Sequence, residues 1–241
     1  MYRMITFLAL IMVTAAFACS QMTCPALGEE PTLLDLRGWG KALDPDGDCK
    51  FVVEKGRLTI GLPGTDHSLS CERGQMNSPR VLQEVEGDFI VQVKVSGTFP
   101  TGATSIVPNR RPFHGAGLLL WQDEKNYIRL ERAETMLEGK NMAYASFEDR
   151  KEGTWGRRGD ASGLPLTEIT CTFLRLERRG GDVHGAVSPD GVHWSSLEPI
   201  TVELPKKVSV GINAGSNTSS PFEPVFEQFK VFTERTSGAE K

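Results

Sequence analysis

Beyond Val13 the sequence offers no apolar run long enough to cross a bilayer as a helix, which takes about 20 residues. It has no C-x-x-C, so neither a zinc ribbon nor a thioredoxin-like centre is indicated. Histidine is scarce: His67, His114, His184 and His193 are the full set, and none sits beside a Gly-x-Ser-x-Gly elbow. No basic stripe accompanies the formal net charge of -4, which argues against nucleic acid as a partner. No segment carries a convincing helical period, so long amphipathic helices are not expected.

Turn formers are abundant instead. Gly 25 and Pro 14 in 241 residues favour many short strands over helices. The balance of 39% hydrophobic and 24% charged residues is that of a globular chain. The N-terminus reads as a targeting segment. Arg3 precedes the apolar run Ile5–Val13, followed by the small residues Ala15, Ala16 and Ala18, so residues 1–18 are expected to be a secretory signal. Cleavage after Ala18 would leave Cys19 first, as in a lipid-anchored envelope protein. Ala16 and Phe17 depart from the preferred lipobox, so free secretion or periplasmic residence is the favoured expectation, with membrane contact only through a lipid on Cys19. Residues 19–31 read as a linker, 32–233 as one domain and 234–241 as a disordered tail. An exported chain can hold disulfides. Cys49 with Cys71 is the preferred pair, because they flank one strand pair; buried thiols are the alternative.

Within the domain, strands and turns alternate. Phe51–Glu54 and Arg57–Leu62 flank Lys55-Gly56, a hairpin signal. In Asp88–Val95, Phe89, Val91, Val93 and Val95 alternate with Ile90, Gln92 and Lys94. Gly115–Trp121 is apolar on both faces and should be central, turning at Asp123–Asn126 into Tyr127–Arg132. Thr172–Arg178, Val183–Val187, Lys207–Ile212 and Phe226–Phe232 complete the series. The pattern predicts two packed antiparallel sheets. Pro100–Pro112 and the polar, Gly-rich Glu148–Gly163 read as two long loops. Tyr127-Ile-Arg-Leu-Glu-Arg132 and Phe173-Leu-Arg-Leu-Glu-Arg178 are near copies, expected in equivalent half-buried settings. Trp39 and Trp194 are expected in the core.

The stretch Leu43-Asp-Pro-Asp-Gly-Asp-Cys49 puts three carboxylates in five positions. Pro45, Asp46 and Gly47 suit a turn capped by Asp44. An EF-hand is excluded, because its sixth and twelfth positions hold Cys49 and Lys55. Calcium on Asp44 and Asp48 with backbone carbonyls stays open, and no other cofactor is expected.

Gly38-Trp-Gly40, Asp44-Pro-Asp-Gly-Asp48, Asn77-Ser-Pro-Arg80, Val85–Phe89, Gly115–Asp123, Asn126-Tyr127 and Ser188-Pro-Asp-Gly-Val-His-Trp194 together resemble the "regulation of enolase" family of concanavalin-A-like domains. They are also similar to the C-terminal jelly-roll domain of some β-xylosidases. The resemblance spans roughly residues 32–233. It implies an all-β, two-sheet jelly-roll sandwich and a link to carbohydrate, and it carries no catalytic set.

The resulting expectation is an exported, non-catalytic module that recognises carbohydrate. The ligand face would present Trp121, Tyr127, Arg129, Glu131, Arg175 and Glu177, bordered by His114 and Trp155 from the two long loops. Arginine and glutamate offer planar hydrogen bonding, and aromatic rings an apolar surface for a pyranose. One alternative is a glycan-active enzyme using Glu131 or Glu177, although the Glu-x-Asp-x-x-Glu strand of laminarinase-type glucanases is missing. Another is a structural or protein-binding module without a small ligand.

Overall fold

The structure is a computed structural model, described here for residues 34–158, 164–166 and 170–233. The expected signal segment, the linker with Cys19, and the tail from 234 lie outside the described residues. The chain divides between Glu30 and Pro31, and every described residue belongs to the second unit.

Its strands in chain order are β1 (Leu34–Leu36), β2 (Gly40–Leu43), β3 (Lys50–Glu54), β4 (Arg57–Gly61), β5 (Leu69–Ser70), β6 (Gln75–Met76), β7 (Arg80–Glu86), β8 (Phe89–Ser96), β9 (Phe113–Asp123) and β10 (Asn126–Leu137). There follow β11 (Lys140–Lys151), β12 (Thr154–Arg158), β13 (Leu164–Pro165), β14 (Cys171–Arg179), β15 (Asp182–Ser188), β16 (Ser195–Ser196), β17 (Ile200–Thr201), β18 (Lys207–Ser216) and β19 (Val225–Thr233). Apart from β5 and β6, which pair only with each other, they form two large antiparallel sheets packed as a jelly-roll sandwich. The nine-stranded sheet runs β1-β2-β7-β18-β9-β10-β11-β12, with β13 also on β11. The eight-stranded sheet runs β16-β15-β14-β8-β19-β4-β3, with β17 also on β15.

Alternation decides what each strand buries. Phe89, Val91, Val93 and Val95 of β8 and Leu174 and Leu176 of β14 meet Leu118 and Leu120 of β9 and Ile128 and Leu130 of β10 in one core. Each of these side chains is buried, and truncating one to alanine would cost about 2–5 kcal/mol. The β3–β4 hairpin closes through Lys55 and Gly56 at φ of 50° and 76°, the paired left-handed conformation that a two-residue turn requires. In the large sheet, a Cβ on Gly117 or Gly211 would lie 2.1 Å from the Leu130 carbonyl oxygen or 1.9 Å from that of Val81, so glycine is what lets these strands pack as they do.

Three expectations are corrected. Glu148–Gly163 is not a loop along its described length: β11 runs through Lys151, turns at Glu152-Gly153 and pairs with β12. Glutamate and arginine are poor strand formers taken singly, but here they stand on a face that supplies them with partners. Cys49 and Cys71 form no disulfide: both are free thiols, as is Cys171. Cys49 lies beside His67, whereas Cys71 faces the Gly153 carbonyl. Trp39 is in the core, stacked on Phe229 at 5.3 Å. Trp194 is not. It lies half-buried under the Arg175 guanidinium, 3.9 Å from the ring centroid.

Candidate functional site

The register of the large sheet gathers a set of polar side chains on the face turned away from the core. Across β12, β11, β10 and β9 one row reads Arg157, Glu148, Arg129 and Leu119. The next reads Trp155, Arg150, Tyr127 and Trp121. A third takes Ser146, Glu131 and Gly117 and continues into Asn213 of β18 and Arg80 of β7.

Glu148 is the hub. Its Oε2 accepts from Arg129 Nη2 at 2.8 Å, Arg150 Nη1 at 3.2 Å and Trp155 Nε1 at 3.1 Å. Its Oε1 accepts from Ser146 Oγ at 2.9 Å, from Arg157 Nε at 3.0 Å, and from Arg157 Nη2. Burial works against the charge of Glu148. The guanidiniums of Arg129, Arg157 and Arg150 outweigh it and hold the carboxyl far below the usual range. Arg129 is likewise penalised by burial, and Glu131 and Glu148 beside it keep it firmly protonated. Arg150 forks onto Glu72 at 2.7 and 3.0 Å, tying the short helical turn Cys71–Arg73 across this face. Glu131 accepts from Asn213 Nδ2 at 2.7 Å.

The aromatic groups are equally ordered. Trp121 stacks on Tyr127 at 5.5 Å, and the Arg80 guanidinium lies 4.7 Å from the Trp121 ring. The Tyr127 hydroxyl donates to the Leu69 carbonyl at 3.1 Å, and burial pushes its pKa up to about 12. Trp155 differs from both: it is 49% exposed, with the Arg157 guanidinium 5.6 Å from its ring.

The structure therefore brings together Trp121, Tyr127, Arg129, Glu131 and Trp155 of the eight expected ligand-face residues, and separates three. Arg175 and Glu177 belong to β14 in the other sheet, where Arg175 meets Trp194 and Gln92, and Glu177 pairs with Arg179 at 2.7 Å. His114 points inward from β9. It stacks on Phe222 at 4.4 Å, bonds Thr218 Oγ1 through Nε2 at 2.8 Å, and is lowered by burial to about 4. It shares the parity of Leu118 and Leu120, which is why it cannot reach the outer face. Glu148, Arg150, Arg157 and Asn213 were not foreseen. The signal was present in Ser146 and Glu148 alternating with Ala145 and Phe147.

Asp44 and Asp48 lie at the turn as expected. Asp44 Oδ2 accepts from the Cys49 backbone N–H at 2.7 Å. Asp48 Oδ1 stands 3.4 Å from His67 Nε2, so the donors around it are not oxygens alone. A separate groove of about 880 Å³ lies at one end of the sandwich, near Asn126, Glu152, Gly180 and Thr201. Its buried cation, Arg178, is spent on the carbonyls of Gly180, Leu204 and Pro205.

The fold and this face define an all-β jelly-roll module that carries, outside its main core, a buried ionic and aromatic network with Trp155 exposed beside it. Residues 63–233 match the family described as protein of unknown function (DUF1349), and the chain belongs to that family. No protein of curated function matches it. Among solved structures it is similar to a functionally unknown protein from Saccharomyces cerevisiae, at 16% identity and TM-score 0.61 over 81% of this chain and 96% of that one. A GH43 protein from Bacillus licheniformis shows 15% identity and TM-score 0.55 over 78% of this chain and 35% of that one. A xylan beta-1,4-xylosidase from Bacillus halodurans shows 16% identity and TM-score 0.53 over 88% and 42%. The chain thus spans less than half the length of the two Bacillus proteins.

Proposed function

We propose that the protein is an exported, non-catalytic module that binds carbohydrate on the outer face of its nine-stranded sheet, at the end marked by Trp155. The observation that carries this reading is Trp155 itself. Its ring is half exposed while its N–H is fixed on Glu148. An indole held in one orientation offers its face to the apolar side of a pyranose at little entropic cost. Arg157 flanks the ring, its guanidinium 5.6 Å from the centroid and hydrogen-bonded to Glu148. The Glu148 network sets the geometry of both groups rather than meeting the ligand. The similarity in fold to xylan-degrading proteins supports a sugar as the ligand class, and the N-terminal segment supports export.

A hydrolytic reading is less well supported. A general acid needs a raised pKa and a carboxylate partner across the scissile bond. Glu148 is held ionised, and Glu131 and Glu177 stand on different sheets.

Calorimetry of the protein against xylan, arabinoxylan, mixed-linkage glucan and levan tests the reading. One of these should bind saturably, and Trp155→Ala should weaken that binding at least about tenfold, the loss of one stacking contact. No binding to any of them would remove the proposal.

A further inference from the structure

A second constellation uses none of the residues of this face. Asp48, Cys49 and His67 each bring one ligand-type atom to a common point. Cys49 Sγ is 3.6 Å from Asp48 Oδ1 and 3.9 Å from His67 Nε2. Asp48 Oδ1 is 3.4 Å from the same nitrogen. A tetrahedral cation with bonds of about 2.0–2.3 Å separates its ligands by roughly 3.3–3.6 Å. The three pairwise distances lie within a few tenths of an ångström of those values, and the Cys49 thiol, 3.9 Å from both His67 ring nitrogens, completes the arrangement by rotating toward the Nε2 side.

We propose that Asp48, Cys49 and His67 form a binding site for a zinc-class divalent metal ion.

The surroundings have the features such a site needs. His67 is completely buried, and its backbone pairs in both directions with Ser216. Its Nδ1 faces the Asn77 carbonyl at 3.4 Å, so a proton held there leaves the Nε2 lone pair for a cation. Asn77 is itself fixed, donating to Asp46 Oδ2 and to the Asp66 carbonyl, both at 2.7 Å. Thr65 Oγ1, 3.0 Å from Nε2, can anchor a water in the fourth position. Asp44 supplies an independent sign: its Oδ1 is buried and has no hydrogen-bond partner, while its Oδ2 holds the Cys49 N–H. Asp46 and Asp48 are partly exposed and leave an entry path from solvent.

The donor set decides the metal. Calcium takes six to eight oxygens, whereas thiolate and imidazole select zinc and its borderline-soft neighbours. On binding, the Cys49 proton leaves to solvent and the metal stays divalent.

Cobalt(II) titration of the full chain, stripped beforehand with chelator, reads the thiolate directly through its charge-transfer band. One equivalent should produce the band, zinc should displace it, and saturating zinc should raise the unfolding midpoint by about 5–10 °C. Cys49→Ser should abolish the band, and Asp48→Asn should weaken zinc binding at least about tenfold. Each variant's midpoint without metal reports its folding, and Asp190→Asn in the other acidic turn should leave binding unchanged. A wild-type chain with neither band nor zinc-dependent midpoint would overturn the proposal. So would a midpoint raised by calcium alone and insensitive to Cys49→Ser, which would mean an oxygen-only site.

Discussion

Strands β10 and β14 carry nearly the same sequence, Tyr127–Arg132 and Phe173–Arg178, and lie on opposite sheets of one sandwich. Their inward residues behave alike: Ile128 and Leu130, like Leu174 and Leu176, enter the shared core. Their outward residues do not. Arg129 and Glu131 are 8% and 1% exposed inside an ionic network. Arg175 and Glu177 stay half-exposed and pair locally with Gln92, Trp194 and Arg179. The difference comes from the neighbours. β10 lies beside β11, which contributes Glu148 and Arg150, and β12 follows with Arg157 and Trp155. β14 lies between β8 and β15, where Arg175 faces Gln92 on one side and Ala186 on the other. A strand's own pattern sets which side is wet; the strands beside it set whether that side becomes a site.

The comparison breaks most visibly at the two glutamates. Glu148→Gln removes the carboxylate shared by Arg129, Arg150 and Arg157, leaving Arg129 with Glu131 and Arg150 with Glu72, and should cost about 3 kcal/mol in denaturant unfolding. Glu177→Gln on the other face should stay within about 0.5 kcal/mol of wild type. Equal costs would mean that the network contributes nothing beyond surface pairing.

Acid sharpens the same contrast. His114 is lowered from 6.5 to about 4, so its contribution is complete above pH 6.5 and is lost as pH falls toward 4. Wild type should lose roughly 3 kcal/mol over that window, and His114→Gln should flatten the slope. The Glu148 contribution has the same sign but begins lower. A depressed carboxyl stabilises above its ordinary 4.5 and fades only below it. The gap between wild type and Glu148→Gln should therefore persist at pH 6 and shrink below about 4.5.

Much of the fold was legible in the sequence, because alternation and turn residues are local. β8, β9, the β3–β4 hairpin and the β9–β10 turn fall where the pattern puts them. The candidate site was legible only in part. The Tyr127–Glu131 face follows from one strand's parity, but which second strand completes it is a fact of topology. The near copy of the pattern in β14 pointed to the wrong one. Reading Glu148–Gly163 as a loop hid Glu148, since charged residues mark solvent unless their counter-charges are known. Cys49 and His67 meet across 18 positions of chain, and no spacing rule joins them.

The two tryptophans should also matter little to stability. Trp155→Ala and Trp194→Ala should each shift unfolding by about 1 kcal/mol or less, since neither ring belongs to the core. Both rings have an arginine against them, and only Trp155 adjoins the Glu148 network.

The most direct test measures these two variants side by side by calorimetry against whichever polysaccharide the wild-type protein binds. Recognition on the outer face of the nine-stranded sheet predicts at least about a tenfold loss of affinity for Trp155→Ala and none for Trp194→Ala. Affinity retained by Trp155→Ala and lost by Trp194→Ala would contradict the account and move the binding surface to the eight-stranded sheet.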